Sequence, residues 1–136
     1  MRRVKRMLSK IIICILGISF GNVLNLNAEV IEIINKDHLN EEIYVQDQLT
    51  VLVCYATWCG PCKVQRPIVY TVDSKFKENK VCFAFCDVDT QQIICTNWNI
   101  QTVPSMIFFK GGKEIKRVFG IVREKELINL VIDGLL

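Results

Sequence analysis

Two cysteines separated by two residues stand in the run Trp58-Cys59-Gly60-Pro61-Cys62-Lys63. The thiolate is the reactive form of cysteine, and a pair at this spacing can close and reopen an intramolecular disulfide. The run follows an apolar stretch, Leu49 to Tyr55, and opens a helical pattern that begins near Cys59 and reaches about Lys77. A helix start offers unpaired N–H groups and the positive end of the macrodipole, which favour a thiolate on Cys59. Cys59 is therefore the expected nucleophile. Cys62, one turn later, is the expected resolving thiol and should be the less exposed of the two. In such a cycle Cys59 attacks a target disulfide, and Cys62 then displaces the reduced product from the mixed disulfide. Pro61 suits an early helical position, whereas Pro67 lies deeper, should kink the helix and forfeits a bond to the Lys63 carbonyl.

The elements that must hold this pair follow from the apolar pattern. Val30 to Ile34 is β-branched and reads as a first strand, and Asp37 can cap a helix reaching about Val45. Leu49 to Tyr55 is a continuous apolar run, as expected of a strand buried on both faces, and Val81 to Val88 reads as a second buried strand. Thr90 to Trp98 reads as a short helix. Met106 to Phe109, a turn at Gly111-Gly112 and Ile115 to Phe119 read as an antiparallel hairpin. Arg123 to Leu136 closes the chain as a helix, with Leu127, Leu130 and Val131 on one face. This order implies an α/β domain with a central mixed sheet and helices on both faces. The length of 136 residues allows one such core and not two.

Charge separates the first residues from the rest. The chain carries 17 Lys plus Arg against 14 Asp plus Glu, a net charge of +3. Arg2, Arg3, Lys5, Arg6 and Lys10 account for the excess; beyond residue 28 there are 12 basic and 14 acidic side chains. The basic balance is thus no sign of nucleic-acid binding. Behind it runs an apolar segment, Ile11 to Phe20, about half of the roughly 20 residues that span a bilayer. A basic start and a short apolar run form the pattern of a secretory signal peptide, here residues 1–28, with cleavage after Ser19-Phe20-Gly21 or Leu26-Asn27-Ala28. Val23, Leu24 and Leu26 leave a retained signal anchor as the alternative, and that is the expected route to any membrane contact. The expected setting is the secretory pathway, with a vacuole as one destination.

The chain resembles the thioredoxin family. The residues that carry the resemblance are Ala56-Thr57-Trp58-Cys59-Gly60-Pro61-Cys62-Lys63, Pro67, Thr102-Val103-Pro104-Ser105, Phe109-Lys110-Gly111-Gly112 and Gly120. They span residues 30–136 and imply a thioredoxin fold over a domain at 29–136. The resemblance implies that Pro104 is the family's cis-proline, opposite the cysteine pair, and that the Val103 backbone pairs with the substrate chain. Trp58, Gly60, Pro61, Val103, Pro104 and Gly120 would form a flat apolar docking surface. It also implies a Cys59–Cys62 redox disulfide with no metal or further cofactor, disulfide-containing client proteins, and an upstream reductase. A Gly-Pro dipeptide between the cysteines goes with reducing members, at about −270 mV, rather than isomerases, at about −180 mV. A weaker resemblance is to secreted thioredoxins that some intracellular parasites attach to protein-export machinery, so a redox-capable adaptor in an export complex is the alternative reading.

Two departures from the family are visible. Most members carry a buried Asp six residues before the first active cysteine, where this chain has Val53, and many pair it with a Lys where this chain has Phe85. Losing both is coherent, because one unpaired buried charge would cost several kcal/mol. Deprotonation of Cys62 would then rely on water or another base, with a slower resolving step.

There are also seven cysteines. Cys14 lies in the expected signal, and Cys54, Cys82, Cys86 and Cys95 read as small buried hydrophobes. The compartment would also permit a second disulfide. Zinc binding by Cys59 and Cys62 with Cys82 and Cys86 is disfavoured, because the second pair has strand spacing and no histidine lies nearby. His38 is expected to face solvent, and Asp87 and Asp89 to act as caps and surface charge.

Overall fold

A computed structural model describes residues 30–136; the expected signal segment lies outside the described residues. The chain forms β1 (Ile31–Glu32), α1 (Lys36–Ile43), β2 (Leu49–Tyr55), α2 (Gly60–Lys75) and β3 (Val81–Asp87). It continues with α3 (Gln92–Asn97), β4 (Ser105–Lys110), β5 (Lys113–Phe119) and α4 (Glu124–Leu135). The strands form one sheet in the order β1-β3-β2-β4-β5. β1, β3 and β2 run parallel, and β4 and β5 are antiparallel to their neighbours.

The central position of β2 explains its unbroken apolar run. Alternate residues go to opposite faces of a strand. Leu49, Val51 and Val53 join Phe83, Phe85, Met106 and Phe108 in a core that takes Val69 and Val72 from α2, and Leu127 and Val131 from α4. Leu52 and Cys54 face the other way, with Ile107 and Phe109, toward Leu39 and Ile43 of α1 and Ile94 of α3. The mixed sheet with helices on both faces is therefore as expected. Phe83, Phe85, Phe108 and Phe109 are fully buried, each worth about 1.5–3 kcal/mol against exposure.

The local boundaries differ where side-chain hydrogen bonds decide them. Asn35, not Asp37, caps α1: its Oδ1 accepts the His38 N–H at 2.8 Å. Asp37 sits inside the first turn, where its charge still meets the positive helix end. His38 is half-buried rather than solvent-facing, and its Nδ1 accepts the Ile34 N–H at 3.4 Å. The β4–β5 turn uses Gly111 and Gly112 at φ 57° and 81°, a region that favours glycine. At Gly112 a side chain would also collide with the Tyr44 ring.

Candidate active site

β2 delivers the chain to the site. After Tyr55 the backbone turns, with Cys59 N–H donating to the Ala56 carbonyl at 3.2 Å, and Cys59 becomes the N-cap of α2. Its Sγ accepts the Cys62 N–H at 3.2 Å. One of the unpaired donors at the start of a 16-residue helix is thus aimed at this sulfur. Pro61 occupies the first turn, where a missing N–H costs nothing. Cys59 and Cys62 form a disulfide across a Cα separation of 5.3 Å. The expectation that Cys62 is the less exposed is not met: Cys59 is 4% and Cys62 5% exposed. Joined in one disulfide, both pack with Ala56 against Tyr55, Val88 and Val103.

The expected docking residues divide by burial. Trp58 is 69% exposed, and Gly60 and Pro61 are exposed beside it; Val103 and Gly120 are half-buried and Pro104 is buried. The Val103–Pro104 peptide bond is cis. Gly120, at φ 75°, donates its N–H to the Pro104 carbonyl at 2.8 Å. What Pro104 lends to the surface is therefore the placement of Val103 and Gly120 rather than its own ring.

Two side chains that sequence reasoning passed over hold this surface in place. Gln65 is buried on the same helical face as Cys62; its amide donates to the Val122 carbonyl at 3.2 Å and accepts the Val122 N–H at 2.7 Å. This pair ties the segment after Gly120 to α2. A polar residue on the buried stripe Cys62, Gln65, Val69, Val72 was the available signal. Asp89, expected to be surface charge, accepts the Trp58 indole N–H at 2.9 Å and orients the exposed ring. Asp87 accepts the Asp89 N–H at 2.9 Å and shapes the turn that presents it.

The other described cysteines are set differently. Cys54 and Cys86 are register partners in β2 and β3, and both are fully buried. Burial pushes the Cys54 thiol up to about 12 and raises that of Cys86 as well. Cys95 is half-buried on α3, where burial again raises its thiol, and its Sγ lies 3.7 Å from the Val88 carbonyl. Cys82 is half-buried too, with its Sγ donating to Glu42 Oε2 at 3.6 Å. The small-hydrophobe reading fits Cys54 and Cys86 better than the other two. Among the described residues no cluster of three or more His, Cys, Asp or Glu is arranged to hold a metal ion.

A family model described as Thioredoxin matches residues 30–133. The chain belongs to the thioredoxin family. It is 37% identical over 91 residues to thioredoxin-like protein 1 of Schizosaccharomyces pombe, covering 67% of this chain and 31% of that one. It is 34% identical over 79 residues to the bifunctional thioredoxin reductase/thioredoxin of Mycobacterium leprae, covering 58% of this chain and 17% of that one. The chain thus spans less than a third of either relative. Among solved structures, the thioredoxin of Malassezia sympodialis superposes with a TM-score of 0.74 at 28% identity, covering 86% of this chain and all of that one. Residues 30–133 are a thiol–disulfide oxidoreductase domain, whose redox group is the disulfide itself.

Among the described residues, this thioredoxin domain has no buried carboxylate beside its cysteine pair. Val53 and Phe85 are buried and directly paired across β2 and β3. The buried carboxylate among the described residues, Asp73, lies eleven residues beyond Cys62 on α2, about 16 Å along the helix. The space above Phe85 is taken by Arg66, whose guanidinium lies 4.2 Å from the Phe85 ring centre and 4.8 Å from that of Tyr55. Arg66 pairs with Glu32 of β1, and the Tyr55 hydroxyl donates to the same carboxylate at 3.3 Å.

Proposed function

We propose that the protein reduces disulfides in client proteins by cycling Cys59 and Cys62 between dithiol and disulfide. The observation that carries this reading is the Cys59 sulfur at the start of α2, accepting a backbone N–H and joined to Cys62. In the reduced protein the positive helix end and that N–H favour the Cys59 thiolate. Cys59 attacks a client disulfide, forming one S–S bond and expelling one client thiolate. Cys62 then gives up its proton to water and attacks Cys59, closing the internal disulfide and releasing the second client thiolate. Two electrons pass from the pair to the client. Trp58, Gly60 and Pro61, with Val103 and Gly120 set in place by Pro104, offer the client chain an apolar face beside the cysteines. The Gly-Pro dipeptide supports the reducing direction.

An upstream thioredoxin reductase would restore the dithiol; the Mycobacterium leprae relative, which joins a reductase and a thioredoxin in one chain, supports that donor. The basic and apolar start of the chain supports a setting across a membrane, in the secretory pathway.

Insulin-disulfide reduction tests the proposal. Turnover with dithiothreitol as electron source should disappear in Cys59→Ser, and Cys62→Ser should retain clients as mixed disulfides. Turnover undiminished in Cys59→Ser would refute it. A Cys59→Ser variant that still assembles with an export complex would favour the adaptor reading, which uses the same apolar face.

A further inference from the structure

The resolving step needs Cys62 to lose a proton, yet the two positions where the family carries its buried charges are Val53 and Phe85, paired across the sheet, and Gln65 one turn from Cys62 is neutral and bonded to Val122. Apart from Asp73 at the far end of α2, the charges on this side of the sheet lie at its rim. Arg66 follows Cys62 by four residues in α2, so the two share a helical face, and helical side chains lean toward the N-terminus. The guanidinium is accordingly found over Tyr55 and Phe85, and Tyr55 packs against the cluster of Ala56, Cys59 and Cys62. Glu32 binds both Arg66 and the Tyr55 hydroxyl from β1. The aromatic pair, edge to face with centres 5.7 Å apart, is thus an apolar wall with the partly exposed ion pair on one side and, through Tyr55, the cysteines against the other. Charges act further through such a medium than through water.

We propose that the Arg66–Glu32 ion pair, seated on the Tyr55–Phe85 wall, sets the charge environment of Cys62, so that Arg66 is a positioning residue for the resolving step. This rests on the reading of Cys62 as the resolving thiol. Arg66 favours the Cys62 thiolate and Glu32 opposes it; together they nearly cancel, and either alone shifts the balance. The Tyr55 hydroxyl stays protonated, held so by burial and then by Glu32, and acts as donor rather than base. The other titratable groups at the wall are Tyr70 on α2, its ring centre 5.9 Å from that of Phe85, Asp87 on β3, the register partner of Tyr55, and Asp89 in the next turn, engaged by Trp58; Lys63 is exposed next to Cys62 in sequence. On α4, Glu124 is paired with Lys75 at 3.4 Å, at the opposite end of α2 from Cys62.

The test uses the thionitrobenzoate mixed disulfide on Cys59. Cys62 attacks the Cys59 sulfur, the internal disulfide forms, and thionitrobenzoate leaves with the electron pair, so its absorbance against pH reports Cys62 ionisation. Arg66→Met should move the profile toward higher pH and slow release at pH 7 roughly threefold. Glu32→Gln should move it the opposite way by a similar amount. Arg66→Lys and the double variant Arg66→Met/Glu32→Gln should return close to the starting profile. Identical profiles in Arg66→Met and Glu32→Gln, or both moving in one direction, would overturn the proposal, because loosened packing carries no sign. Release that is absent from the unaltered protein would refute the dithiol cycle itself.

Discussion

Cys54 and Cys59 belong to the same strand–turn–helix unit, and the structure places them in opposite chemical conditions. Cys54 is fully buried in β2 beside Cys86, and burial raises its thiol to about 12. Cys59 stands where the strand has ended and the helix has begun, with a backbone N–H turned toward its sulfur. Their exposures differ little, at 0% and 4%, so accessibility alone does not separate them. The difference is what surrounds the sulfur. One is enclosed by apolar side chains that penalise a thiolate, and the other by a helix terminus that favours it. A cysteine count therefore says little about redox chemistry until each thiol has been placed in an element.

The largest way to break the comparison is to exchange the roles of the two sets. Cys59→Ser should lower insulin reduction by more than about 100-fold, whereas Cys54→Ala or Cys86→Ala should leave it within about twofold. Any loss in the latter two should appear in thermal or denaturant unfolding, at about 1–2 kcal/mol for the volume removed. A buried thiol essential for turnover would mean that the two settings are not separate.

Alkaline pH sharpens the same contrast through stability. Cys54 and Cys86 keep their protons in the folded chain well above the ordinary thiol value of about 8.5, but ionise once unfolded. The folded state then binds more protons than the unfolded one, so stability falls as pH rises. The expected slope is about 1.4 kcal/mol per pH unit for each such thiol above about pH 9. Denaturant titrations from pH 8 to 10.5 should show it, and Cys54→Ala should reduce it.

The smallest effect concerns the exposed side of the site. Asp89→Ala removes the carboxylate that orients Trp58 and should slow client reduction about two- to fivefold, with the fluorescence of Trp58 altered and unfolding hardly changed. No change in turnover would mean that the ring needs no fixed orientation.

Most of this architecture is legible along the chain, for local reasons. Leu49 to Tyr55 and Val81 to Cys86 are almost wholly apolar, Thr50 excepted, because both faces of the central strands are covered by helices. The start of α2 is marked by Cys59, Gly60 and Pro61, each of which suits a cap or first turn. The loss of charge at Val53 and Phe85 is visible too, and the register confirms that the two positions face each other. The groups that surround the site are less legible. Arg66 and Glu32, Trp58 and Asp89, and Gln65 and Val122 meet across 34, 31 and 57 residues of sequence, joined by sheet order rather than by any local pattern. The Asn35 cap is hidden for a simpler reason: Asp37 offers an equally suitable side chain two residues on, and the extended backbone at Asn35 with its bond to the His38 N–H decides between them.

Residue-resolved alkylation of the fully reduced protein tests the central claim most directly. Burial holds the Cys54 thiol far above pH 7, so Cys54 should resist iodoacetamide until denaturant is added. Mass spectrometry over a time course should find Cys59 modified first and Cys54 and Cys86 intact in the folded protein. Cys54 or Cys86 labelled as fast as Cys59, or Cys59 as slow as they are, would contradict the account.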